Sequence, residues 1–493
     1  MDAEGLVYTL DEGLSAVGFG KFQIMLLLYA GFGWFTEAME IMILSFVGPA
    51  VKSQWGLSSA QETLLTTVVF AGELIGAYSW GLISDNYGRR KSFFCITVTT
   101  SGVGLLSAFS PAYSSLLILR FVAGIGLGGG HVFLSWFLEF IPASHRGKWM
   151  VIFATFWTVG TVFEALLAWL VMPRLNWRWL LGLSAIPSFV LLLFYGLAPE
   201  SPRYLYMKGK KTEAHQILEK MASLNQSELP PGIFVSSKAE KVDGESLPSE
   251  HTPLLPSTRE KFSRIKSGFS SFFMLFSSKL ISTTLLLWIL FFGHSFSYYG
   301  IILLTSELSA AQSECGSTTL HSQYLQSYSL YIKVLLTSIA EVPGLLLSAL
   351  IVDKLGRKLS MGVMLSLSAL FLLPLVLGQS GIMTTALLFG ARMCSIGSFT
   401  VACIYAPELY PTSVRTTGSG VANAMGRIGG MLCPVVAVGL VTGCHLKEAI
   451  FLFEVVIAVT AICILLFKVE TKGRELSETL AESDPKADVW GGL

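Results

Sequence analysis

Charge is scarce in this chain. Aspartate, glutamate, lysine and arginine make up only 14% of its 493 residues, where soluble globular proteins carry about 25%. At 52% hydrophobic residues and a mean hydropathy of +0.62, a soluble fold would have too little polar surface to stay dissolved. The net charge of +1 gives no basic footprint, so nucleic acid is not an expected partner. Its 7 cysteines are scattered, with no CxxC and no Cys/His ligand spacing. A disulfide framework, a metal site and a cofactor are therefore not expected. No G-x-x-x-x-G-K-[ST] is present, which removes the main support for an ATP-driven machine and leaves ion gradients as the energy source. No nucleophile–base set is visible, and an enzyme is not expected.

What the chain does have is long apolar runs. Stretches able to span a bilayer, which takes about 20 residues, fall near 22–48, 61–83, 92–110, 116–140, 148–171, 178–198, 280–305, 327–352, 359–378, 382–406, 416–441 and 448–467. These are spans 1 to 12 below. The reading is an all-α membrane protein of twelve helices in two six-helix halves, 1–198 and 280–467. A cytosolic central loop at 199–279 and a cytosolic tail at 468–493 complete it. The loop opens with a basic amphipathic stretch ("ESPRYLYMKGKKTEAHQILEKMASLNQ"). It continues into a Ser/Pro/Glu-rich part whose composition predicts disorder. The acidic N-terminus "MDAEGLVYTLDEGLSAVGFGKF" does not read as a cleavable signal.

Orientation follows from the short loops. One set holds Arg89, Arg90, Lys91, Arg146, Lys148, Lys354, Arg357, Lys358 and Arg415, and the opposite set only Lys52, Arg174, Arg178 and Lys447. The basic side belongs in the cytosol, which puts both termini there. The sequon Asn225-Gln226-Ser227 then falls on the side where it is not glycosylated.

The halves repeat. "GLISDNYGRRKS" returns as "ALIVDKLGRKLS", and Asp85 to Asp353 is 268 positions. Arg120 to Arg392 is 272, Glu139 to Glu408 and Arg146 to Arg415 are both 269, and Glu200 to Glu470 is 270. Parallel six-helix repeats describe a transporter with its substrate site at mid-membrane.

The D-x-x-G-R-[RK] loops after spans 2 and 8 resemble the signature of the major facilitator superfamily. The paired "PESPR" and "VETKG", with the E…R loops after spans 4 and 10, resemble its sugar-porter and organic-ion branches. "YTLDEGLSAVGFGKFQ" and "EAMEIMILS" resemble the synaptic-vesicle-protein-related group, which includes nicotinate transporters and plant organic cation/carnitine transporters. This resemblance implies transport by alternating access, with a cytosolic gate. The gate residues would be Asp85, Arg89, Arg90, Glu139, Arg146, Glu200, Arg203, Asp353, Arg357, Glu408, Arg415 and Glu470. "GIGLGGG" (Gly124–Gly130) looks like a dinucleotide fingerprint, but it lies inside span 4 with no strand before it. Close helix packing is the better reading.

Charges inside spans are costly and normally face a cavity or a partner. Glu37 and Glu40 are three apart on one face of span 1, and Arg120 lies in span 4. In the sugar-porter branch an acid of the first helix and the arginine of the fourth couple protons, and the resemblance carries that role to Glu37, Glu40 and Arg120. Span 8 carries Lys333, free to snorkel, and Glu341 beside a Pro-Gly that loosens the helix. Glu73 and Glu164 are further candidates. Arg427 is the one charge between Thr416 and Val441. Its residue type suits a bidentate clamp on a substrate carboxylate, the competing expectation being an intramembrane pair with Glu341 or Glu454. The organic-ion branch has arginine at the aligned position in anion and carnitine carriers. Asn423 sits one turn from Arg427. Rings at Trp34, Phe35, Phe156, Trp157, Tyr298, Tyr299, Tyr328 and Tyr405 could stack on a flat or quaternary substrate. The spans are poor in the Gln and Asn that sugars need.

The expectation is a proton-coupled secondary transporter of small organic carboxylates or zwitterions, nicotinate-like, acting as a monomer. An organic cation or carnitine carrier is the neighbouring alternative, and a membrane sensor without transport the alternative of another class. Plasma membrane is the expected location. Glu250-His-Thr-Pro-Leu254-Leu255 resembles a sorting-adaptor signal and points to endosomal or vacuolar membrane as the other choice. Cys315 and Cys444, both in outer loops, are a candidate disulfide.

Overall fold

The computed structural model describes residues 7–142, 146–235, 273–314, 323–377, 381–410, 414–441 and 445–472. Ten helices among them are long and apolar enough to cross a membrane, and Trp177–Leu193 is a shorter apolar one. Arg89–Ala108 completes the twelve. Its low hydropathy comes from Ser and Thr. Their hydroxyls donate back to the helix itself, as Thr100 does to Ile96 O at 2.6 Å and Ser101 to Thr97 O at 2.7 Å, which satisfies their protons within the span.

Four spans are interrupted, span 4 among them, where Tyr113–Leu127 and Gly130–Leu138 are separated by a turn at Gly128–Gly129. Span 1 is built of Lys21–Met42 and Leu44–Trp55, longer than its apolar run, with a break at Ile43. Span 8 breaks between Gln323–Ile339 and Glu341–Leu355, next to Pro343 and Gly344 as the Pro-Gly predicted. Span 11 runs from Arg415 to Pro434 and then widens into a π turn, Val435–Leu440. Pro434 has no N–H to give the ordinary ladder, and its ring crowds the carbonyl four residues back.

The chain forms two compact units. One gathers the described residues of 1–41, 75–161 and 181–254, the other those of 42–74, 162–180 and 255–493. The boundary does not follow the sequence halves. Residues 42–74 join the second unit because Thr67 donates to Met431 O at 3.3 Å and the rings of Phe70 and Tyr299 meet at 4.9 Å.

A small subdomain outside the spans lies in the first unit. The amphipathic opening of the central loop folds as Pro202–Met207 and Lys211–Asn225, the latter burying Ala214, Leu218, Met221 and Ala222. A short helix, Leu10–Val17, capped by Thr9 and Glu12, contacts it. Val7–Thr9 pairs in parallel with Ile233–Val235, a three-residue ladder in an otherwise helical fold. Asn225, the sequon residue, is engaged here. Its Oδ1 accepts from Phe22 N at 3.0 Å and its Nδ2 donates to Gln23 Oε1 at 2.8 Å. The Ser/Pro-rich stretch, the 250–255 pattern, Cys315 and Cys444 lie outside the described residues.

Asn225→Ala should raise hydrogen exchange at the Phe22 amide about tenfold, because a donor left unsatisfied costs about 1–3 kcal/mol. Unchanged exchange would show that this contact does not hold the start of span 1.

Candidate functional site

The repeated loop motifs form the same structure twice. In the first unit, Arg89 Nε and Nη2 donate to Glu139 Oε1 at 3.2 and 3.0 Å, and the backbone N–H of Arg89 donates to Glu200 Oε1 at 2.9 Å. In the second, Arg357 grips both oxygens of Glu408 at 3.1 Å, and its N–H donates to Glu470 Oε1 at 2.9 Å. Gly88 (φ 102) and Gly356 (φ 87) make the turn between helices in a region that side chains avoid. Burial pushes the Glu200 carboxyl up from its ordinary value, opposed by the N–H groups of Ser201, Arg89 and Arg90.

Two gate candidates find other partners. The Arg90 guanidinium lies over the Tyr195 ring at 5.0 Å, and Arg203 pairs with Asp11. The side chains of Asp85, Arg146, Asp353 and Arg415 lie outside those described.

Deeper in the first unit, Arg120 donates to Glu40 Oε2 at 3.0 Å and to Ser107 Oγ at 3.2 Å. The structure thus brings together one acid of span 1 and the arginine of span 4. Glu37 goes elsewhere: its carboxylate lies against Gly130 and lines a small cavity. Trp34 packs with Phe153 and Trp157 at 5.5 and 5.4 Å in the same unit.

The second unit holds two more buried pairs. Arg427 Nη1 donates to Glu73 Oε2 at 2.5 Å and lies 3.5 Å from Tyr299 OH. Neither of the two acids named from sequence as its possible partner takes that place. Glu341 instead accepts from Arg392 Nη2 at 2.7 Å, Arg392 Nε at 2.9 Å and Tyr298 OH at 2.7 Å. Tyr298 and Tyr299 meet edge-on at 5.2 Å, linking the two pairs. Asn423 is exposed and donates to Ser419 O of its own helix. Tyr405 donates to Val469 O, just past the end of span 12, and the side chain of Tyr328 lies outside those described.

Sequence reasoning used Arg392 only as a repeat landmark and named Glu73 without a partner. One signal was available, since Glu73 stands 268 positions before Glu341, the spacing of Asp85 and Asp353. The two acids are repeat counterparts, and a landmark arginine held inside a span needs an acid of its own.

The comparisons agree with this architecture. The model of the sugar (and other) transporter family matches residues 35–481. The chain belongs to that family. It is 55% identical to organic cation/carnitine transporter 7 of Arabidopsis thaliana, over 98% of this chain and 99% of that protein. It is 37% identical to the synaptic vesicle 2-related protein of Xenopus laevis, over 96% and 83%. The xylose transporter XylE of E. coli, in a partially occluded inward-open conformation, superposes with a TM-score of 0.70 at 16% identity, covering 92% of this chain and 100% of that one. The fold is that of the major facilitator superfamily, and this family member is a multi-pass membrane transporter.

Arg392→Leu alone should destabilise the detergent-purified protein by about 3–5 kcal/mol, because Glu341 is left buried and unpaired. The double variant Arg392→Leu/Glu341→Leu should recover most of that loss. A single variant that melts like wild type would show that the pair is not a structural necessity.

Proposed function

We propose that this transporter carries small organic carboxylates or zwitterions of the nicotinate type, in symport with protons, by alternating access. The observation that supports it is the state of Arg427. Of the three described intramembrane arginines it alone keeps appreciable exposure, 18% of its side chain, against 2% for Arg120 and 0% for Arg392. Its guanidinium carries five donors in a planar fork, and Glu73 engages one nitrogen with one oxygen. A substrate carboxylate that displaces Glu73 can be held by this fork in a bidentate grip. Tyr299, with Phe70 at 4.9 Å from it, supplies ring faces to a flat substrate beside that arginine.

The acid next to Arg427 gives the site two signs of charge. A carboxylate binds at Arg427 and competes with Glu73. The quaternary or ring nitrogen of a zwitterion then has Glu73 as its counter-ion. Glu40 and Arg120 supply the coupling step, since protonating Glu40 removes the charge that holds Arg120. The Arg89–Glu139–Glu200 and Arg357–Glu408–Glu470 clusters act as the cytosolic gate, made and broken as the halves alternate.

The organic cation reading draws support from the name of the Arabidopsis relative. In it Glu73 and Glu341 hold the positive group, and Arg427 is a structural partner. A sensor without transport would show no net uptake at all.

The test is labelled nicotinate uptake into proteoliposomes at pH 5.5 and 7.5, with tetraethylammonium as the cation control, for wild type and Arg427→Ala. Uptake is expected to rise in acid and to fall at least about 30-fold in the variant, since truncating one partner of a desolvated charge pair costs about 2–5 kcal/mol. Acid dependence alone does not decide, because protonated nicotinate crosses bilayers unaided. Tetraethylammonium uptake by both proteins, with nicotinate carried by neither, would replace this reading with the cation one.

A further inference from the structure

Glu37 and the glycines of span 4 have a feature that helix packing alone does not account for. A cavity of about 20 Å³ lies among spans 1, 3, 4 and 6 of the first unit, with Thr36, Glu37, Thr97, Thr100 and Ser188 as its polar lining. That is room for one water molecule or one bare small ion. All five residues are buried, Glu37 at 3% and Ser188 at 2% exposure.

Two hydroxyls of this cluster donate their protons to backbone carbonyls of their own helices. Thr36 donates to Gly33 O at 2.8 Å and Thr100 to Ile96 O at 2.6 Å, so each presents only lone pairs to another group. Ser188 Oγ is buried with no hydrogen-bond partner among the described residues. The residues lining the cavity include no Lys, Arg or His. The donor set is thus all oxygen with a single carboxylate, which is the chemistry of a hard cation of one charge.

The glycines clear this space. A Cβ at position 130 would fall 1.5 Å from Glu37 Oε2, and one at position 126 would fall 2.8 Å from Thr100 Oγ1. Gly126 lies near the end of Tyr113–Leu127 and Gly130 opens Gly130–Leu138, so the bare backbone on either side of this break in span 4 leaves room for a carboxylate at one position and a hydroxyl oxygen at the other. Plain packing of helix on helix needs small residues there, but it does not need those small residues to face an acid.

We propose that this cluster is a sodium-ion site, with Glu37 as the charged ligand and Thr36, Thr100 and Ser188 as neutral oxygen ligands. Glu37 is thereby separated from the Glu40–Arg120 pair, and the transporter has a second ion to bind besides the proton. The proposal rests on reading the chain as a gradient-driven carrier, but its test needs no transported substrate.

The experiment is equilibrium binding of ²²Na⁺ to the purified, detergent-solubilised full chain, in choline chloride at constant ionic strength. Saturable binding is expected in wild type, with Thr100→Val weakened about tenfold or more and Glu37→Gln binding none. Arg427→Ala should bind sodium as wild type does even though it loses nicotinate uptake, which separates failure of this site from failure of the substrate reading. Thr100→Val, nearly isosteric, keeps the test decisive if Glu37→Gln does not fold. Absence of saturable binding to folded wild type, which would make this a water pocket, overturns the proposal. Equal affinity in wild type, Thr100→Val and Glu37→Gln overturns it as well.

Discussion

Every arginine described deep in the spans is held by an acid, and the remainder of the site follows from that constraint. A charge at the bilayer centre costs about 2.5–3.5 kcal/mol on insertion scales, and removing the partner of a buried ion costs more. Arg120 with Glu40, Arg392 with Glu341 and Arg427 with Glu73 meet the requirement. Each pair also joins separate spans: 1 with 4, 8 with 10, and 2 with 11. The pairs therefore orient helices as well as satisfy charge, and a change in any pairing is felt by two spans at once.

The internal repeat shows which parts of this scheme were kept and which diverged. The loop clusters of the two halves share their chemistry: an arginine gripping a glutamate, with a second glutamate accepting backbone N–H groups at the following helix start. The intramembrane pairs are not. Arg120 and Arg392 are repeat counterparts, yet the first takes its acid from span 1 and the second from span 8. Glu73, the counterpart of Glu341, is taken by Arg427 in span 11, where the first half has no arginine at the repeat-related position, Thr158. The loop cluster is kept alike in both halves, whereas the charges inside the spans have been reassigned in the second.

Most of the fold was legible because its signals are long and redundant. Twelve apolar runs, a basic side and a charge pattern repeated at nearly constant spacing each lead to the same architecture. The Glu40–Arg120 pair was readable through family resemblance, and the break before Glu341 through Pro343 and Gly344. The partner of Arg427 was not readable. Glu341, Glu454 and Glu73 are all acids at plausible depth, and only the facing of spans 2, 8 and 12 decides among them. Nothing within one span reports which neighbour its side chain meets. The short strand pair is similarly silent, because a three-residue ladder between the N-terminus and a loop leaves no periodic pattern.

The difference in exposure among the three arginines has a local origin in span 11. Gly429 and Gly426 bring the backbone of span 11 against Phe292 O and Ser295 Oγ of span 7, and Gly430 admits the ring of Phe70. Spans 7 and 11 thus come into close contact on both sides of Arg427, and the bare positions 426, 429 and 430 leave part of the guanidinium uncovered. Arg392 has the opposite setting: its Nε and Nη2 donate to Glu341, Tyr298 OH donates to the same carboxylate, and Met42 Sδ takes a further contact from Nη2. Small residues beside one arginine and complete burial of the other separate two chemically identical groups into a reachable one and a closed one. That is the distinction a carrier needs between the charge that meets its cargo and the charge that holds its helices.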